Sequence, residues 1–208
     1  MLTDEISQNI ESRLQFEDGR VARSRDSRLK IVSAFLRILS RGHVNPSAEE
    51  IAIEAKVGLR TFFRRFKEME LLYLEVADEI QAVFAPEVVK PWHSDDWREQ
   101  LFEMLARKAI IYEQLLPFIF ANRYHRIHSE HLRLFHQKWL QRERNIMSNI
   151  VPFSGVDEPE LFFSLEVALS SDTWLQYRMH LKLSQEQAHQ TMKHALSSLL
   201  KQYDDKTR

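Results

Sequence analysis

Apolar residues recur at spacings of three and four over long stretches of this chain, a period that predicts helices. Residues 26–41 carry Leu29, Ile31, Val32, Ala34, Phe35, Leu36, Ile38 and Leu39, enough for a helix buried on a wide face, with Gly42 placed as a C-cap. Two shorter helices are expected within 47–66, and a continuous one from 68 to about 85, where Pro86 ends it. A loop with two prolines and two aspartates, 86–96, precedes a strong helix over 97–116 whose stripe is Leu101, Leu105, Lys108/Ala109, Tyr112 and Leu116. Pro117 is expected to break or kink it, leaving a short helix over 118–125. Another long helix follows over 129–150, then a turn over 151–159 and a helix over 160–183 that is apolar nearly all round its first half. Ser184 with Gln187 forms a capping box for the last helix, whose stripe is Ala188, Met192, Ala195, Leu196, Leu199, Leu200 and Tyr203. Ahead of all this, Ile6, Ile10 and Leu14 sit at i, i+4 and i+8 in a mildly acidic extension, and residues 20–25 read as a basic arm. The fold class is all-α, with about nine helices.

The sharpest local signal lies at 47–66. Ser47 and Glu50 form a capping box, so a helix starts there. Ala48, Ile51, Ala52 and Ala55 share one face, small enough for a second helix to approach closely. The pattern stops at Lys56-Val57-Gly58, where Gly58 suits either the positive φ of a tight turn or an N-cap. In the helix that follows, Phe62 and Phe66 point inward, leaving Arg60, Thr61, Arg64 and Arg65 outward. This is a helix-turn-helix with a polar, basic outer face.

Composition bounds the rest. The chain has 208 residues, 44% of them hydrophobic, so it can bury a substantial core. Four glycines and six prolines agree with helices, and zero cysteines exclude disulfides and thiolate chemistry. The N-terminus does not read as a signal peptide, and the longest apolar stretch, 109–121, is interrupted by Glu113-Gln114 and too short to span a bilayer. A soluble, cytoplasmic protein is expected. The net charge of -1 hides an asymmetry: residues 20–67 hold twelve Lys/Arg against four Asp/Glu, hence +8, and the remainder carries -9. A basic module on an acidic body is the electrostatic footprint of a nucleic-acid binder; the alternative is a solvated charged face.

These residues resemble the TetR-type one-component transcriptional regulators. The match is detailed over residues 26–76 and architectural elsewhere: Ile51-Ala52, Ala55, Val57, Arg60-Thr61-Phe62-Phe63-Arg64 and Phe66 fall where that family's motif places its Ile-Ala pair, Ala-Gly-Val turn, Arg-Thr-Phe-Phe-Arg run and Phe. Three places in the motif depart. Lys56 stands at the usual turn glycine, Gly58 at a frequent capping serine, and Lys67-Glu68-Met69 replaces Pro-Ser-Lys, so a methionine occupies the place of a lysine that commonly meets phosphate. The resemblance implies an extension over 1–25, a DNA-binding domain over 26–67, and an effector-binding and dimerisation domain over 68–208 entered by a linker helix. It also implies a homodimer joined through its last two helices that binds a palindromic operator in double-stranded DNA as a repressor, released by a small-molecule effector. On that reading Arg60 and Thr61 meet base edges, Phe63 packs beside the backbone, and Ser47, Lys56, Arg64, Arg65 and Lys67 position the module on phosphates.

Phe102, Tyr112, Phe120, Tyr124, Trp139, Phe162, Trp174 and Tyr177 are the candidates for lining an effector cavity, with an apolar or aromatic effector preferred; each is also an ordinary core residue on a helical stripe. The apolar hairpin at 160–203 serves either a dimer interface or the closure of its own monomer core. The competing class is a helical metalloprotein or enzyme using His125, His128 and His131, or Glu186 with His189, one Glu-x-x-His half of a di-iron bundle. The second half is missing, and no nucleophile-base set or phosphate-cradling glycine loop is visible, so neither enzyme activity nor a cofactor or metal is expected.

Overall fold

The computed structural model describes the backbone of residues 19–207 and the side chains of residues 26–204. The expected amphipathic helix at Ile6, Ile10 and Leu14, and the side chains of the basic arm, lie outside the described residues. Nine α-helices and no strand are found among the described residues: α1 Gly19–Ser40, α2 Ala48–Glu54, α3 Leu59–Arg65, α4 Met69–Val88, α5 Trp97–Arg126, α6 Glu130–Ser148, α7 Pro159–Ala168, α8 Ser171–Leu175 and α9 Gln185–Thr207. A π-helical turn, Gln176–His180, follows α8. None of the described helices is long and apolar enough to cross a membrane. Contacts divide the chain into two compact units: one takes residues up to Val88 with Gln114–Phe135, the other Val89–Glu113 with His136–Arg208.

In the first unit the segment 20–25, expected as an arm, is already helical, because nothing between Gly19 and Asp26 breaks a helix. The eight apolar residues from Leu29 to Leu39 are all buried. Helix α1 ends in a Schellman turn: Gly42 N donates to Leu39 O (2.9 Å) and His43 N to Ile38 O (3.3 Å), with Gly42 at φ +87°. Helix α2 ends in the same way. Lys56 N donates to Ile53 O (3.0 Å) and Val57 N to Ala52 O (3.0 Å), so the left-handed residue is Lys56, at φ +54°. Gly58 is not the positive-φ residue but the N-cap of α3, at φ -71°. Phe62 and Phe66 are fully buried, as are Ile51 and Phe35. Helix α4 adds Leu72, Tyr73, Val76, Ala77, Ile80 and Phe84 to this unit's core. It runs two residues past Pro86, since a proline in the last turn removes only one ladder bond.

Pro117 likewise fails to break α5. It has no N–H to give the Glu113 carbonyl, yet Tyr112, Leu115, Phe118 and Ala121 are buried around it, and that packing holds the helix straight through. Where a single helix was expected over 160–183, the second unit has three pieces. Ser170 accepts from Thr173 N (3.1 Å) and caps α8, a local bond that competes with helix continuation. The freed Leu169 carbonyl accepts from Tyr112 Oη (3.2 Å) and Lys108 Nζ (3.3 Å). Helix α9 starts at the expected capping box, with Ser184 N donating to Gln187 Oε1 (2.8 Å) and Gln187 N to Ser184 Oγ (3.1 Å), and buries Ala188, Met192, Leu196 and Leu200.

Candidate nucleic-acid interface

Helices α2 and α3 with their four-residue turn form the expected helix-turn-helix, and their charges sort into two groups. One group is engaged within the module. Arg28 pairs with Glu75 (2.6 Å) and lies over the Phe66 ring; Lys30 pairs with Asp26 (2.6 Å); Arg37 (3.0 Å) and Arg41 (2.8 Å) both pair with Glu54. These two arginines, Arg41 foremost, hold the Glu54 carboxyl below its ordinary range. Arg65 is half-buried, and its Nε donates to Ser27 Oγ (2.9 Å), which turns it toward α1.

The other group is open. Lys56, Arg60, Arg64 and Lys67 are exposed and make no side-chain hydrogen bond or ion pair among the described residues. All four lie on α3 or next to its ends. Thr61 is half-buried, and Phe63 is 49% exposed with its ring edge-on to Phe62 at 5.4 Å. The apolar face of α3 thus seats the helix while its cations face solvent.

Ser47 stands apart from this set. Its amide donates to Glu50 Oε2 (2.7 Å), its hydroxyl donates to the same oxygen (2.8 Å), and that hydroxyl accepts from Glu50 N (3.2 Å). Those bonds, the backbone one first, bring the Glu50 carboxyl down to about 2. The start of α2 therefore already holds an anion, supplied by the chain itself.

The eight effector candidates fall in both units. Phe120, half-buried, and Tyr124, 58% exposed, belong to the first, where Tyr124 packs against His125 and His128. Phe102, Tyr112, Trp139, Phe162, Trp174 and Tyr177 belong to the second. There Tyr112 is buried and donates to Glu143 Oε2 (2.9 Å), and Trp174, fully buried, donates from Nε1 to Glu113 Oε2 (3.1 Å). Phe162 packs edge-on to Phe163, Phe102 lies below Lys193, and Trp139 and Tyr177 are half-buried. A cavity of about 10 Å3 beside Lys108, Glu143, Arg144 and Glu166 has room for roughly one water.

Sequence reasoning missed the ionic framework around these aromatics. Lys108 pairs with Glu143 (2.6 Å), Arg178 with Glu113 (2.7 Å) and Arg144 with Glu166 (2.8 Å). Burial first, then the Glu143 charge, pushes the Tyr112 phenol well up. The available signal was a charge within an apolar stripe, as at Lys108 and Glu113. The histidines of the alternative reading do not meet. His125 packs at a tilt against Tyr73, ring centroids 4.6 Å apart, His131 Nδ1 lies 2.7 Å from Glu70 Oε1, and no three His, Asp or Glu side chains among the described residues converge as metal ligands. Glu186 accepts from Gln190 (2.8 Å), and His189 is half-buried on α9.

Compared with protein-family models, curated proteins and solved structures, the chain finds no match.

Proposed function

We propose that this protein is a TetR-type DNA-binding transcriptional regulator, a cytoplasmic homodimer that reads a palindromic operator through α3. The single observation that carries this is the sorting of charge: the module pairs Arg28, Lys30, Arg37 and Arg41 with its own carboxylates, turns Arg65 onto Ser27, and leaves Lys56, Arg60, Arg64 and Lys67 open on and beside α3. An arginine can fork onto guanine, and a threonine can bond a base edge or touch a thymine methyl, so Arg60 and Thr61 at the start of α3 are the base readers. Arg64, Lys67 and Lys56 supply phosphate contacts. Two copies joined through the C-terminal helices would set two α3 helices about 34 Å apart, one turn of the double helix. A small-molecule effector, apolar or aromatic, held in the second unit, would favour an arrangement with different spacing and release the repressor.

Selection of bound sequences from random duplex DNA tests this directly. A two-fold symmetric site is expected. The double variant Arg60→Ala/Thr61→Ala should lose preference for that site by about 1–3 kcal/mol per base contact, whereas Arg64→Ala should weaken all duplexes alike and lower the salt slope by about 1. Undiminished sequence preference in the double variant would remove α3 as the reading element.

A further inference from the structure

A second basic feature of the module shares Lys56 with the α3 face but is otherwise built from α1 and α2. A cavity of about 460 Å3 is lined by Lys30 and Arg37 of α1, Glu54 of α2, and Ala55 and Lys56 of the turn. Three cations face it against one carboxylate, and that carboxylate already serves Arg37 and Arg41. Among the described residues Lys30 is held by an exposed i, i+4 pair with Asp26, a weak tie in water. Lys56 has no partner among the described residues.

The backbone at Lys56 adds an independent observation. Two Schellman turns of one geometry close α1 and α2; the first uses Gly42 at its left-handed position, and the second holds a lysine there at φ +54°. An L-residue adopts that region rarely; Lys182 is also there, at φ +56°, but of the two it is Lys56 that lines this cavity. Here the left-handed position is the one that sends an unpaired ammonium to the cavity's edge.

We infer that this cavity is a phosphoryl-binding site in which Lys56, Lys30 and Arg37 hold the anion. Three cations from two elements suit a group carrying more than one negative charge, such as a polyphosphate or a pair of backbone phosphates. Arg37 meets it as a guanidinium already oriented by Glu54; Lys30 can turn from Asp26, and Lys56 brings its whole charge. The phosphoryl group comes either from a free polyphosphate or from a DNA backbone, and the site does not depend on α3 reading bases.

The test uses the full chain with inorganic tripolyphosphate as free ligand and a random-sequence duplex as the other source. Calorimetric titration is run on the parent, Lys56→Gly, Lys30→Gln and Arg60→Ala/Thr61→Ala, against sodium sulfate at matched ionic strength. Lys56→Gly relaxes the turn, so weaker binding by that variant is not a folding defect. If the anion is free, Lys56→Gly and Lys30→Gln each bind tripolyphosphate roughly tenfold more weakly than the parent, while the α3 double variant binds it as the parent does. If the phosphate belongs to DNA, Lys30→Gln as well as Lys56→Gly lowers the duplex salt slope by about 1, with no tripolyphosphate binding beyond the sulfate control; a parental slope in Lys30→Gln confines Lys56 to the α3 face and overturns the site. Parental behaviour of Lys56→Gly toward both ligands overturns the site, as does an equal loss of tripolyphosphate binding in the α3 double variant, which would mark diffuse charge. Loss of operator preference without change at the cavity speaks to the α3 reading alone.

Discussion

Replacing Lys56 with glycine should stabilise this protein although it deletes a side chain and lowers intrinsic helix propensity nearby. The left-handed conformation costs an L-residue about 1–2 kcal/mol. Glycine avoids that cost but loses about 0.4–1 kcal/mol through the greater freedom of its unfolded chain, leaving a net gain of about 0.5–1 kcal/mol. For a chain of this length, Tm should rise by roughly 1–4 °C. Charge is a confounder, because Lys56 shares its cavity with Lys30 and Arg37. Lys56→Gln separates the terms: it removes the charge and keeps the strain, so the difference between the Gly and Gln variants is the backbone contribution. The other Schellman turn supplies the mirror experiment. A Cβ built on Gly42 meets no atom within 4 Å, so Gly42→Ala should cost a net of about 0.5–1 kcal/mol, the left-handed penalty at φ +87° less the gain from a stiffer unfolded chain. Urea unfolding with an unchanged m-value is the assay. A midpoint for Lys56→Gly equal to or below that of Lys56→Gln would refute the strain argument.

Further outcomes follow from the ion pairs and histidines. Glu113→Ala leaves the Trp174 N–H buried without its acceptor and Arg178 without its carboxylate, so the second unit should lose about 2–3 kcal/mol, read as a lower urea midpoint; parental stability would show that neighbouring groups replace Glu113. Burial, with His128 second, holds the His125 imidazole below its ordinary 6.5, where it packs against Tyr73 and Tyr124. The unfolded chain therefore takes up the proton first, so this contribution is intact above pH 6.5 and is lost as pH falls below it. His125→Phe should flatten the unfolding midpoint between pH 8 and pH 5.5, and a parental slope in that variant would assign the loss to another group. Glu50, brought down to about 2 by its bonds to Ser47, acts at lower pH: its contribution is present above about 4.5 and is lost as pH falls toward 2. Ser47→Ala should shrink that acid-side loss, measured by helical circular dichroism.

The features legible in sequence were those fixed by residues close together in the chain. The capping boxes at Ser47 and Ser184, the C-cap at Gly42 and the buried face of α1 depend on spacings of three and four, and the structure keeps each of them. The misplaced boundaries were set by distant partners. Pro117 is a local signal to break a helix, overridden by the burial of Tyr112, Leu115, Phe118 and Ala121 around it. The division after Ala168 runs the other way: no proline or glycine marks it, and Leu169 is free to leave the ladder because Tyr112 and Lys108, about sixty residues earlier, satisfy its carbonyl. By sequence Gly58 suits either a positive φ or the N-cap of the next helix, and it takes the N-cap; hydrogen bonding places the left-handed residue two positions after the last turn of α2, and that residue is Lys56.

The candidate interface shows the same division between local and distant information. A sum of +8 over residues 20–67 treats every cation alike. The fold does not, because Glu75, 47 residues further along on α4, takes Arg28, and Glu54 takes two arginines at once. Arg65 sits beside Arg64 in sequence, but one helical step turns it onto Ser27 while Arg64 stays in solvent. Ion pairing thus concentrates the open charge on and beside α3, and that concentration, more than the total, is what gives a short helix with two buried phenylalanines a face for phosphate. A phosphate lysine at the start of α4 would have placed one more cation beside Lys67; Met69 stands there instead, followed by the carboxylate of Glu70. The geometry therefore makes Lys67 the last open cation before α4, and Lys67→Ala should cost more non-specific duplex affinity than Arg65→Ala, whose guanidinium is already engaged with Ser27.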